Sequence, residues 1–139
     1  MNDDPLYLTP FGDTLRWIAG GEQTAGAYAM LERVAPPGTR SPGHQHRRSE
    51  AFYVIDGEVT FTIDGQSTAA RAGTFVIAPE FVSHGWENTG DRAARVLLIF
   101  APAAQRAYFA DLDVMVRSAA GGQLDEAALT DLMKRHDWL

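Results

Sequence analysis

Residues 38–57 read GTRSPGHQHRRSEAFYVIDG. His44 and His46 are separated by one residue, and Glu50 follows His46 by four. On an extended segment alternate side chains share a face, so the two imidazoles project together while Gln45 and Arg47 point away. Two imidazoles and a carboxylate from one face supply most of a coordination shell for a divalent metal. The stretch ends in AFYVI, a run of strand formers, and then Asp56-Gly57, a hairpin turn signal.

The surrounding chain fits a small β-rich domain. Its 139 residues suit a single domain large enough to bury a core without cross-links. A hydrophobic fraction of 45% and a charged fraction of 22% are those of a globular protein. The net charge of −6 provides no basic face for phosphates, so nucleic acid is not the expected partner. With no cysteine, thiolate metal sites and Cys nucleophiles are excluded. The opening MNDDPLYLTP is acidic and has no apolar signal region, and no apolar run reaches the ~20 residues of a membrane helix. The expected setting is cytoplasmic.

Strands are expected at 14–19, 26–34, 51–55, 58–63, 66–70, 74–78, 84–87 and 95–101, punctuated by Gly, Pro, Asn and Asp. Asp64-Gly65 marks a second tight hairpin. Residues 1–13, with Pro5, Pro10 and Gly12, read as an irregular arm packed on the body. Short strands of this spacing suggest a sandwich or barrel. Beyond Pro102 the apolar period becomes helical over 103–117, Gly121-Gly122 breaks it, and Asp125 is placed to cap a last helix over 126–136. The expected organisation is a β-barrel with its arm over 1–101 and a helical extension over 102–139 that is not a separate domain.

The chain has four histidines. His136 falls in the last turn of a predicted helix, where a cation complements the dipole. His84, in a β segment after Gly73, is taken as the fourth ligand. Gly38, His44, His46, Glu50 and Gly57 fall as G-x5-H-x-H-x3-E-x6-G, and Gly73, Pro79, His84 and Asn88 as G-x5-P-x4-H-x3-N. These resemble the two motifs of the cupin family. Phe81 stands where the second motif usually has Gly, which places the turn before His84 in question rather than the ligand. The 15 residues between the motifs are those of a small single-domain cupin. The resemblance implies an all-β double-stranded β-helix (jelly-roll) barrel with C-terminal α-helices, usually in a homodimer. It also implies one divalent metal ion per chain, held by His44, His46, Glu50 and His84. The N/O donor set suits Fe, Mn, Ni, Co or Zn.

Strand parity turns Phe52 and Val54 inward with Glu50, and Val82 and Trp86 inward with His84; Val59, Phe61 and Ile63 belong to the next strand's inner face. Phe52, Val54, Phe61 and Trp86 are therefore candidate pocket residues, although each would serve equally as barrel core. Tyr28 and Met30 share a face of their own strand and join the candidates without parity deciding which way they point. Arg47 and Arg48 are expected outward. Glu50 is the one acid in the inward-facing set and is the candidate proton acceptor as well as a ligand.

From GGEQTAGAYAMLE (20–32) to FAPAAQRAYF (100–109) the chain is similar to small cupins related to quercetin (flavonol) dioxygenases. In that group a flavonol oxygen coordinates the metal, the glutamate takes its proton, and O2 cleaves the heterocycle with release of carbon monoxide. The resemblance implies a metal-dependent dioxygenase acting with O2 on an apolar or aromatic, flavonol-like, enolic or phenolic small molecule. A non-oxidative isomerase, dehydratase or cyclase and a non-catalytic small-molecule binder are the other readings, since one fold hosts many chemistries.

Overall fold

A computed structural model describes residues 6–119 and 124–138. Ten strands and three helices follow in order: β1 (Leu6–Leu8), β2 (Thr14–Ala19), α1 (Gly21–Thr24), β3 (Ala29–Ala35), β4 (Arg40–His44), β5 (Ser49–Asp56), β6 (Glu58–Ile63), β7 (Gln66–Arg71), β8 (Phe75–Ala78), β9 (His84–Glu87), β10 (Ala94–Ala101), α2 (Arg106–Ser118) and α3 (Glu126–Arg135). One sheet has the order β1-β2-β3-β10-β5-β8 and the other β4-β9-β6-β7. All pairings are antiparallel. From β3 to β10 the chain passes back and forth between the two sheets, with β6 and β7 a hairpin within one of them, as in a jelly-roll barrel with appended helices.

Period-two patterning explains the core. Along β5, Glu50, Phe52 and Val54 are buried and Tyr53 and Ile55 are exposed. Along β6, Val59 and Phe61 are buried. The two inner faces meet where the Phe52 and Phe61 rings lie 4.7 Å apart. At the β6–β7 hairpin both turn residues, Asp64 (φ 50) and Gly65 (φ 79), are left-handed, as a two-residue type I′ turn requires. At Gly57 (φ 83) an added Cβ would lie 2.9 Å from Ala94 Cα, so the turn and the approach of β10 both require glycine.

Three strands differ from expectation. The N-terminal arm contains β1, three residues paired with β2 at the sheet edge. Residues 40–44, which lie outside the expected strands, form β4 despite Pro42 and Gly43. β4 is an edge strand, where the missing proline N–H costs no ladder bond. The strand expected at 26–34 begins at Ala29, because Gly21–Thr24 winds into a helical turn. The Gly121-Gly122 break lies outside the described residues.

Both long helices pack onto the barrel. Tyr108, Phe109 and Leu112 of α2 and Leu132 of α3 join the buried core. Asp125 caps α3 as expected, its Oδ1 accepting from Ala127 N at 2.9 Å and Ala128 N at 3.3 Å. No helix among the described residues is long and apolar enough to cross a membrane.

Candidate metal centre

Three elements and one loop bring four side chains together. His44 ends β4, Glu50 lies on β5, His84 opens β9, and His46 lies between β4 and β5. His44 and His84 are directly opposed across the β4–β9 pair. One ligand atom from each of the four residues falls within 4.8 Å of the others. His46, Glu50 and His84 are buried and His44 is half-buried. His44 and His46 converge without ideal strand alternation. The β4–β9 register shifts between Ser41 and His44, and His46 is held by an isolated bridge to Trp138.

Each imidazole is oriented by a nearby backbone carbonyl. Nδ1–H donates to Pro42 O from His44 (3.1 Å), to Arg48 O from His46 (2.7 Å) and to Val82 O from His84 (2.9 Å). A carbonyl only accepts, so the proton of each neutral ring resides on Nδ1 and Nε2 carries the lone pair. Yet Glu50 Oε1 lies 3.1 Å from His46 Nε2 and 3.3 Å from His84 Nε2. Acceptors would then face an acceptor, an arrangement that only a proton or a cation between them reconciles. Two ligands about 2.1 Å from one ion and at right angles to each other sit ~3 Å apart, so the spacing and donor set fit a divalent metal. His44, His46, Glu50 and His84 would hold it, with backbone carbonyls fixing the rings.

Without a cation the site is electrostatically uneven. Burial lowers the His44 pKa to about 4, and the neighbouring His84 adds to the effect. Burial also opposes charge on Glu50, but the hydrogen bonds and charges of His46 and His84 outweigh it and hold the carboxyl far below its usual range. At His84 burial is outweighed by the bond to Glu50, and its pKa rises.

A cavity of about 200 Å³ opens beside the cluster. His44, Glu50 and His84 form one part of its wall; Phe52, Trp86, Leu98, Phe100, Tyr108 and Trp138 form much of the rest. Phe52 and Trp86 thus reach the cavity. Val54 and Phe61 are fully buried barrel core and are not among its lining residues. Tyr28 and Met30 lie off the cavity wall: on β3 the odd residues Leu31 and Arg33 turn inward, and Tyr28, just before the strand, is 42% exposed. Val82 is half-buried and serves His84 through its carbonyl. Arg47 is exposed, whereas Arg48 folds back and donates from Nε to Ala103 O at 3.3 Å. His136 caps α3 and approaches Asp111 at 3.5 Å.

Among the cavity residues that sequence reasoning missed, four bear on the chemistry of the site. Asp13, assigned to the arm, is buried and faces the cavity, so Glu50 is not the single inward acid. It accepts hydrogen bonds from Thr9 Oγ1 and from Arg33 Nε, the latter at 2.8 Å. Arg33 was hidden in a strand whose parity was undecided. Tyr108 and Trp138 come from the helical extension and stack 4.5 Å apart with a 12° interplanar angle. Burial raises the Tyr108 pKa, and the charge of Glu50 raises it further, so its hydroxyl stays protonated beside the cluster.

The model of the cupin domain matches residues 31–100, half of the chain and both motifs. The chain belongs to the cupin family. Among its curated relatives are gentisate 1,2 dioxygenase 1 of Aquipseudomonas alcaligenes, 36% identical over 50% of this chain and 20% of that protein. Polyketide synthase CurC of Streptomyces cyaneus is 32% identical over 58% of this chain and 53% of that one. Quercetin 2,3-dioxygenase of Bacillus subtilis is 31% identical over 54% and 23%, respectively. This cupin therefore spans about half of CurC and less than a quarter of the two dioxygenases. In fold it is similar to an RmlC-like cupin from Shewanella frigidimarina, with a TM-score of 0.67 and 20% identity, covering 74% of this chain and 87% of that one.

Proposed function

We propose that this cupin is a metal-dependent enzyme acting on a small enolic or phenolic molecule, and that it is a dioxygenase. The observation that carries the metal is the convergence of two Nε2 atoms on Glu50 Oε1 within a cluster of three histidines and a carboxylate, the donor set and spacing of a divalent-metal site. His44, His46, Glu50 and His84 would hold the ion, which when bound would supply Lewis acidity and a path for O2 chemistry. The residues do the remainder. Phe52, Phe100 and Trp138 give a ring an apolar, aromatic lining that excludes water. Glu50 accepts the proton of the substrate hydroxyl, and Tyr108 is a neutral donor beside it.

Cavity size narrows the flavonol expectation. An apolar cavity of ~150 Å³ accepts benzene. At about 200 Å³ this one suits a single substituted ring better than the three rings of a flavonol.

A non-oxidative cyclase or isomerase is the second reading. The curated relative CurC is a polyketide synthase protein, and Asp13 provides a second buried carboxylate for proton traffic. The test is reconstitution with Fe(II), Mn(II), Ni(II) or Co(II), a panel of phenols, enols and flavonols, and measurement of O2 uptake and products. Uptake that needs both metal and substrate supports the dioxygenase. Turnover without uptake supports the second reading, and saturable binding with no product overturns both.

A further inference from the structure

The cavity has a second polar pole. Arg33 projects inward from β3, and its guanidinium carbon lies 4.6 Å from the centroid of the Trp86 ring. Its Nε is committed to Asp13 Oδ2 at 2.8 Å, while Asp13 Oδ1 is occupied by Thr9. The Arg33 side chain is 12% exposed and that of Asp13 is 1% exposed. Among the described residues no hydrogen bond uses the terminal amino groups of Arg33, whereas a guanidinium carries five donors in a fixed fork. They are not sealed away either: the enclosed partnerless atoms are those of Arg16, Arg48 and Trp86.

A purely structural ion pair explains this poorly. A buried pair contributes little net stability against its desolvation cost. Here one sits in the wall of an otherwise apolar cavity with one edge of its fork unused. That edge is shaped for a planar anion with two oxygens. The distance also fits. Trp86 follows His84 by two residues on one face of β9, a spacing of ~6.6 Å along the strand. Arg33 stands over Trp86, and both line the same cavity of about 200 Å³ as His44, Glu50 and His84, so one small ligand can meet the guanidinium and the cluster together.

We propose that Arg33 is the anchor for a substrate carboxylate, making the preferred ligand a one-ring aromatic or enolic acid whose far oxygen lies at the His44–Glu50–His84 cluster. Asp13 and Thr9 are positioning residues that hold the guanidinium edge-on to the cavity. This rests on the metal-enzyme reading above and deepens it by naming the substrate class.

The test is calorimetric binding to the metal-loaded protein of phenol, 4-hydroxybenzoate and methyl 4-hydroxybenzoate. The acid is expected to bind about tenfold or more tightly than its ester, the contribution of charged hydrogen bonds. Arg33→Gln is expected to abolish that preference, Arg33→Lys to retain part of it, and both to keep their metal by elemental analysis. Because Arg33→Gln strands a buried carboxylate, the paired variant Asp13→Asn/Arg33→Gln is measured beside it, and the acid-to-ester ratio is taken within each folded variant. Equal binding of acid and ester by the unaltered protein, or an unchanged ratio in the folded variants, overturns the assignment. If phenol still binds only with metal present, the assignment falls alone; if no member of the panel binds, both readings fall.

Discussion

Trp138 and His46 are joined by an antiparallel β-bridge, and the indole stands edge-on to the imidazole with ring centroids 4.4 Å apart. A residue from beyond the barrel thus braces a metal ligand while it lines the cavity. Trp138 also stacks on Tyr108 and meets Phe100 at 5.5 Å and Phe109 at 5.9 Å. The helical extension is built into the site.

Trp138→Ala removes a nearly fully buried indole and leaves a void against His46. Such truncations cost about 3–5 kcal/mol. The expected outcome is a lower urea midpoint together with metal affinity reduced several-fold, because His46 loses its brace. Trp138→Phe, which refills part of the void, is expected to recover more than half of both losses. Metal titration that is unchanged in a folded Trp138→Ala variant would show that the bridge orients nothing.

Glu50 separates binding from chemistry. Glu50→Gln keeps the shape but removes the negative charge facing two Nε2 atoms. Metal affinity is expected to fall at least about tenfold, and turnover under saturating metal by a further ~10²–10⁴, the usual contribution of a positioned base. His46→Ala/His84→Ala is expected to lose stoichiometric metal outright, as read by elemental analysis. A double variant that keeps its full metal content refutes the site.

Much of this was legible in the residues. The ligand spacing, the Asp-Gly turns and the period-two strands are local signals, and they mark β5, β6 and β9 together with three of the four cluster positions on one stretch. What was not legible depended on long-range placement. Asp13 and Arg33 are separated by 20 positions, and only the β2–β3 pairing makes them a cavity pair. Tyr108 and Trp138 look like ordinary apolar helix-end residues until α2 and α3 close over the barrel. Tyr28 and Met30 share a face of their segment, but which way that face points is set by the pairing of β3 with β2 and β10, not by its own sequence.

Acid is expected to destabilise the metal-free protein. The folded pKa of His44, about 4, lies below its ordinary 6.5, so between those values the unfolded chain takes up a proton that the folded chain refuses. Stability is therefore lost as pH falls through that window, by on the order of 2–3 kcal/mol. Glu50, depressed by its histidine partners after burial is overcome, adds to the loss below about its ordinary 4.5. His84, raised, has the opposite sign: its contribution is full below 6.5 and fades as pH rises. Urea unfolding of chelator-treated protein at pH 7 and 4.5 checks the balance. His44→Gln is expected to flatten the slope, and an unaltered slope in that variant would rule out His44 as its source.

Self-association is expected through the outer face of the six-stranded sheet. Tyr53 on β5 and Phe75 on β8 are directly paired and are 42% and 54% exposed; Ile55 and Ile77 extend the same face at 36% and 53%. A patch of this kind is costly to leave in water. Light scattering is expected to give a dimer, and Phe75→Glu/Ile77→Lys a folded monomer. A monomeric parent protein at tens of micromolar would remove the proposal.

Phe81 occupies the second-motif position usually held by Gly. It keeps the left-handed backbone that glycine would adopt, at φ 63, while its side chain is 55% exposed. Its N–H donates to His46 O at 2.8 Å, so this turn fastens the loop that carries a ligand. A left-handed non-glycine residue costs ~1–2 kcal/mol, and glycine returns ~0.5–1 kcal/mol of that through the greater freedom of the unfolded chain. Phe81→Gly is therefore expected to stabilise the protein by up to about 1 kcal/mol with metal affinity unchanged. Phe81→Val, β-branched and poorly suited to positive φ, is expected to destabilise it and to weaken metal binding through His46. Urea midpoints and metal titrations of the two variants decide the matter: if glycine destabilises more than valine, the ring itself, not the backbone, holds the turn.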